Sequence, residues 1–283
     1  MAGDISAGLS NISSLSTADT MCIGVPAERR THVLPLKVGQ GVDGIRLDFE
    51  VKFPKERPKP PTPQKTVEKI TQTSALSLVF AGPRRFPESV YFREVDCVGL
   101  TRFLSGYECA QIIDFAEGQG FSRQHRHNQL QLYWQDILDP CLCQGIWSVC
   151  GLGEFLGSVK IDGMVPCGLN DVVRIQKFMP GDLSGRHTDQ PVRRKDGRVS
   201  KYSLRVFLNG MGEGSFEGGL SAFHASSRRH PVLFEPEVGL ALLYPQGDGC
   251  AVQEETQVLR GCKYVLRADV LFCKPEDHHK YSC

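Results

Sequence analysis

Residues 174–189 of this 283-residue chain, RIQKFMPGDLSGRHTD, hold the residues best spaced for chemistry. A β-like run reaches a Pro180-Gly181 turn and then delivers His187-Thr188-Asp189. Side chains two apart on an extended segment point to the same face, so His187 and Asp189 can hold one ion together. The imidazole offers a neutral nitrogen and the carboxylate a charged oxygen. Joined by a second histidine, they would make the arrangement of two imidazoles and one carboxylate that leaves positions open on Fe(II). A lone His-x-Asp is more often a turn with a surface histidine, so the triplet takes its weight from its surroundings.

The elements that must position it are readable on both sides. Ser105-Gly106-Tyr107-Glu108 has capping-box spacing and predicts an amphipathic helix through Cys109, Ile112, Ile113 and Ala116, ending at Gly118 or Gly120. Asp139-Pro140 predicts a second helix, with aspartate as cap and proline in the first turn. Beyond Asn170 the chain turns to short β-rich runs at 172–178, 202–208, 220–224, 232–234, 240–244 and 263–272. Helices followed by many short strands predict an α+β, mainly β domain over residues 90–273. Its expected core is a double-stranded β-helix, or jelly roll, flanked by N-terminal helices.

Upstream, residues 1–30 read as a Ser-rich flexible tail. Within 31–53, Ile45, Leu47, Phe49, Val51 and Phe53 alternate with charged residues, the mark of a half-buried strand in a β-hairpin-like segment. Residues 54–89 read as a Pro-rich linker and connection. The five prolines of 54–65 favour polyproline II, with a ligand for an SH3-type partner as the sharper alternative. Residues 274–283 form a polar tail in which His278 and His279 are expected to be solvated.

Composition restricts function further. Hydrophobic content of 41% and charged content of 23% are ordinary for a soluble globular chain. A net charge of +1 sets up no global field toward nucleic acid or an anionic membrane. The short runs Arg84-Arg85, Arg193-Arg194-Lys195 and Arg228-Arg229 read as solvated loops. Eleven cysteines, odd in number and lacking any CxxC pair, argue against a secreted disulfide framework. The N-terminus has neither signal- nor transit-peptide character, and no apolar run approaches the ~20 residues needed to span a bilayer. A cytoplasmic or nuclear protein is expected.

Five blocks in order carry a resemblance. They are residues 103–121 (FLSGYECAQIIDFAEGQGF); Gly168-Leu169-Asn170 with the run into Pro180-Gly181; His187-Thr188-Asp189; residues 216–223 (FEGGLSAF); and residues 261–272 (GCKYVLRADVLF). Together they resemble the 2-oxoglutarate/Fe(II)-dependent dioxygenases of the prolyl-4-hydroxylase-like branch. The resemblance implies His187 and Asp189 as iron ligands, with 2-oxoglutarate as co-substrate. It implies an oxidoreductase that uses O2 to hydroxylate a C–H bond of a peptidyl (prolyl-like) or small-molecule substrate, releasing succinate and CO2. It places a cation on the last strand to anchor 2-oxoglutarate. Lys263 holds the matching position, and Arg267 on the same face is the competitor.

The pattern breaks at the second histidine. Its position, ten residues before Lys263, is Gln253, and no histidine lies between His230 and His278. Gln253 can serve as a weak neutral oxygen ligand, or the site has decayed into a binding or regulatory module. Alternatively a slip brings in Cys250 or Asp248, or His224 or His230 swings in. Phe178 stands where the family places a tyrosine, and Gln246 where relatives often carry a histidine. Arg193, Arg194, Lys195 and Arg198 follow the His-x-Asp in a long hairpin. They would favour an acidic substrate or a nucleic-acid backbone, or form only a disordered polar loop.

Overall fold

The computed structural model describes residue 80 and residues 85–126, 129–212, 214–226 and 229–281. The expected tail 1–30, hairpin 31–53 and proline run 54–65 lie outside these residues.

The chain opens with a hairpin of β1 (Glu88–Phe92) and β2 (Cys97–Thr101). The helix α1 (Gly106–Gln119) follows, begun as the spacing predicts by a full capping box between Ser105 and Glu108 and ended at Gly120. After β3 (Ser122–Arg126) and β4 (Gln129–Leu138) comes α2 (Pro140–Ser148). Asp139 caps α2 by accepting the Leu142 N–H, and Pro140 occupies its first turn. A short α3 (Leu152–Phe155) leads to β5 (Val165–Leu169), β6 (Val172–Phe178) and β7 (Ser184–His187). The remainder is β8 (Val199–Phe207), β9 (Phe216–Gly218), β10 (Ser221–His224), β11 (Val232–Phe234), β12 (Ala241–Pro245), β13 (Val252–Glu255), β14 (Val258–Gly261) and β15 (Lys263–Cys273).

The strands pair antiparallel. A large sheet runs β1-β2-β12-β8-β15-β6-β4-β3, with β5 added against β15, and a smaller one runs β11-β10-β13-β7. Phe178, Phe207, Leu242 and Val265 of the large sheet share an apolar cluster with Phe223, Val232 and Phe234 of the small one, so the two sheets close on each other. This is a mainly β jelly roll with helices on its outer face. Ile112 and Ala116 of α1 and Ile146 of α2 pack on Val173, Ile175, Leu204, Val206, Leu266 and Ala268 of the large sheet. Each such side chain contributes about 1.5–3 kcal/mol by leaving water.

Two boundaries depart from expectation, and some strands are additional. The fold begins before residue 90: Arg85 pairs with Glu108, and its backbone N–H donates to Val149 O at 2.8 Å. The polar tail is not wholly free, because Pro275–Lys280 forms a 3-10 turn, Tyr281 packs on Cys167 and Cys273, and His278 Nε2 lies 3.2 Å from Pro166 O. Strands β1 to β5, β13 and β14 lie outside the β-rich runs expected from the sequence. Among the described residues, no helix is long and apolar enough to cross a membrane.

Candidate functional site

Strand alternation decides which side chains meet between the sheets. On β8, Leu204 and Val206 face the helices, which turns Ser203, Arg205 and Phe207 inward. On β15 the inward set is Lys263, Val265, Arg267 and Asp269. Register then aligns Asp136 of β4, Arg174 of β6, Arg267 of β15 and Arg205 of β8 in one row across four strands. From the opposite wall, β7 brings His187 beside Gln253 of β13.

His187 and Asp189 come together as their spacing requires, with Nε2 3.9 Å from Oδ1. His187 Nδ1 lies 2.8 Å from Gly185 O, a contact that suits the Nδ1–H tautomer and leaves Nε2 with its lone pair. Burial lowers the imidazole pKa and favours this neutral form. Asp189 is 2% exposed. Its Oδ2 accepts from Ser203 Oγ at 2.7 Å and from the Tyr244 hydroxyl at 3.0 Å, while Oδ1 faces Arg267 Nη2 at 2.9 Å. Burial would raise this carboxyl, but Arg267, Arg205 and the Ser203 hydroxyl outweigh it and hold it below the usual range.

Gln253 lies opposite His187 in register and is fully buried. Its Oε1, the atom of the amide that could ligate a metal, instead accepts from Arg205 Nη2 at 2.7 Å. The same guanidinium donates through Nη1 to Glu255. Glu255 also accepts from Ser221 Oγ at 2.7 Å and from Lys263 Nζ. Lys263 completes its shell with Gly219 O at 2.6 Å and has Phe178 and Phe207 rings 5.4 and 5.2 Å away. Gly218 and Gly219 make this approach possible, with φ of 78° and 63°; a side chain on Gly218 would meet Gln257 O at 2.4 Å. Glu255 stays ionised because Lys263 and Arg205 outweigh the cost of burial. Burial lowers the Lys263 pKa, with Glu255 opposing.

The other suggested ligands are placed elsewhere or already engaged. Cys250 is close, with its sulfur 3.3 Å from the Asp189 N–H, but burial raises its thiol pKa. Asp248 sits in an exposed turn. His224 faces away from inward-pointing Phe223 and contacts Glu254 at 2.8 Å; His230 lies in the loop before β11. Among the described residues, no group of three or more His, Cys, Asp or Glu side chains could hold a metal ion.

A cavity of about 570 Å³ opens above this network, walled in part by His187, Asp189, Arg205, Arg267, Arg174 and Trp134. Arg267 reaches the cavity, whereas Lys263 lies fully buried beneath it. Arg174 stacks 4.4 Å over the Trp134 ring and makes two hydrogen bonds to Asp136, at 2.6 and 2.9 Å. In the basic loop Arg194 donates to Asn170 Oδ1 at 2.7 Å and Arg198 pairs with Asp196 at 2.8 Å, while Arg193 and Lys195 are exposed. Phe178 lines the cavity, and Gln246 bridges Ser203 and Asp269, each at 2.9 Å.

Iron and 2-oxoglutarate do not fit these residues as arranged. Three cations, Arg205, Lys263 and Arg267, face two carboxylates, Asp189 and Glu255. The lysine matched to the co-substrate anchor already holds a carboxylate of the chain itself. At Gln253, the expected third ligand, the amide oxygen is turned to a guanidinium. Arg205 and Glu255, the two residues that decide this, were not singled out from the sequence. Alternation would have pointed to both: Glu255 lies two residues past Gln253, and Arg205 two past Ser203, on otherwise inward faces.

No protein-family model matches the chain, and no curated protein matches it. Solved structures with a similar fold include a viral collagen prolyl hydroxylase from Paramecium Bursaria Chlorella virus-1 in its 2OG complex. It is 20% identical, covers 62% of this chain and 95% of its own, and has a TM-score of 0.46. A Pseudomonas putida prolyl-4-hydroxylase is 18% identical, covering 62% and 91%, with a TM-score of 0.44. A Trichoplax adhaerens prolyl hydroxylase in complex with a hypoxia inducible factor peptide fragment is 14% identical, covering 66% and 87%, with a TM-score of 0.47. Identities this low leave the reaction to be argued from this chain's own residues.

Proposed function

We propose that this chain is a non-catalytic protein of the 2-oxoglutarate/Fe(II) oxygenase type, a binding or regulatory module built on that fold. The observation that carries the reading is the closed network Lys263–Glu255–Arg205–Gln253. A buried cation already matched by a buried carboxylate has no free charge for a dicarboxylate co-substrate. The cavity above remains open, and its ligand is a peptide or small molecule met by Trp134, Arg174 and Arg267. An SH3-type partner for residues 54–65 and a cytoplasmic or nuclear location stay with this proposal as its outer parts.

Calorimetric titration of the apo-protein with Mn(II), then with 2-oxoglutarate, tests the reading, together with a succinate assay in the presence of Fe(II) and O2. The expected result is no saturable metal binding and no succinate. Tight Mn(II) binding, with turnover abolished by His187→Ala, would sink it.

That outcome would support the second reading, an Fe(II)/2-oxoglutarate-dependent hydroxylase. Its favouring observation is the His187 Nε2 and the Asp189 carboxylate sharing one cavity, 3.9 Å apart. On that reading His187, Asp189 and Gln253 hold iron, and Arg267 or Lys263 anchors the co-substrate.

A further inference from the structure

We infer that Arg205 is the residue that closes this centre to a divalent cation, beyond the effect of the missing histidine. The inference rests on the non-catalytic reading and deepens it. Arg205 is 3% exposed and lines the cavity floor from β8, facing Arg267 across the β8–β15 register. Its guanidinium spans the two places that matter, donating to the amide oxygen at the third-ligand position and to the carboxylate that occupies Lys263. Its buried Nε has no hydrogen-bond partner among the described residues.

The charges around it explain the consequence. Glu255 and the Gln253 amide oxygen accept from Arg205, and the rings of Tyr244 and Phe223 lie 5.6 and 5.8 Å from its guanidinium carbon. A fixed guanidinium thus already supplies the positive charge that a metal would bring. A divalent ion placed between His187 and Asp189 would join three cations already present, two of which, Arg205 and Lys263, are buried where water screens little. Supplying an imidazole at position 253 restores a donor but removes none of this repulsion. It also takes from Arg205 the amide oxygen it now holds.

Mn(II) titration of four proteins decides the matter: the full-length chain, Gln253→His, Arg205→Leu/Gln253→His and Arg205→Gln/Gln253→His. Folding is verified by circular dichroism and thermal melting. Arg205→Gln keeps a hydrogen-bond donor for Glu255 if the leucine variant fails to fold. Gln253→His alone is expected to bind no better than the unaltered chain. The double variant is expected to gain on the order of 100-fold, the scale on which groups around a metal tune its affinity. Equal gains from the single and double variants would overturn the role of Arg205, as would no gain from either. Tight Mn(II) binding by the unaltered chain is a different failure, and it brings down the non-catalytic reading itself.

Discussion

The two faces of the large sheet are made by the same strands and could hardly differ more. Toward the helices, Val173, Ile175, Leu204, Val206, Leu266 and Ala268 form an apolar layer. Toward the small sheet, the neighbours of those residues are Arg174, Ser203, Arg205, Lys263, Arg267 and Asp269, joined to Asp189, Gln253 and Glu255. The helix-side layer holds by area removed from water. The inner layer adds to its own apolar cluster a set of charges that each need a partner, because an unpaired buried ion costs more than a paired one returns. Tolerance to change therefore differs by face.

The largest expected effect is on the inner face. Glu255→Ala leaves Lys263 and Arg205 buried against each other, and should cost about 3–5 kcal/mol in urea unfolding. A cost below that of an apolar truncation would break the contrast. Leu266→Ala, on the same strand but the other face, should cost about 3 kcal/mol through a cavity. It should leave ligand binding in the 570 Å³ cavity unchanged.

The helix-side layer has a buried carboxylate at its rim, and pH isolates its contribution. Burial would raise Glu108, but the Arg85 guanidinium and the Ser105 groups hold it below its ordinary value. A depressed carboxyl stabilises the fold above its unfolded pKa, about 4.3. That contribution is lost as pH falls through the lower folded value. Wild-type Tm should therefore drop on acidification below about pH 4, and Glu108→Gln should lower Tm at pH 7 while flattening that acid limb. The smallest effect belongs to the surface. Arg260→Ala removes an ion pair with Glu217 whose side chains are 72% and 50% exposed, and should shift stability by less than about 0.5 kcal/mol.

Much of the frame was legible where local chemistry dictates structure. The Ser105–Glu108 box and Asp139-Pro140 set helix starts that no distant contact had to supply. The run at 172–178 is β6 residue for residue. β4, by contrast, has Trp134 and Asp136 inward while Gln135 and Ile137 alternate with them, a mixed pattern whose meaning appears only when Arg174 is set against it. The His187–Asp189 pair was readable because both residues lie on one short segment. The state of that pair was not, because it is set by Arg205, Arg267 and Tyr244, brought in from other strands by register. Gln253 illustrates the limit: spacing gave its position, and only a guanidinium from β8 reveals what its oxygen does.

Lys263 has a mechanical consequence as well. Its ammonium holds Gly219 O from the turn between β9 and β10 and Glu255 from β13, while its backbone starts β15. One side chain thus rivets the two sheets and the turn between β9 and β10 at a single point. Amides of β10, β13 and β15 should exchange with deuterium as one cooperative unit, opening together rather than strand by strand.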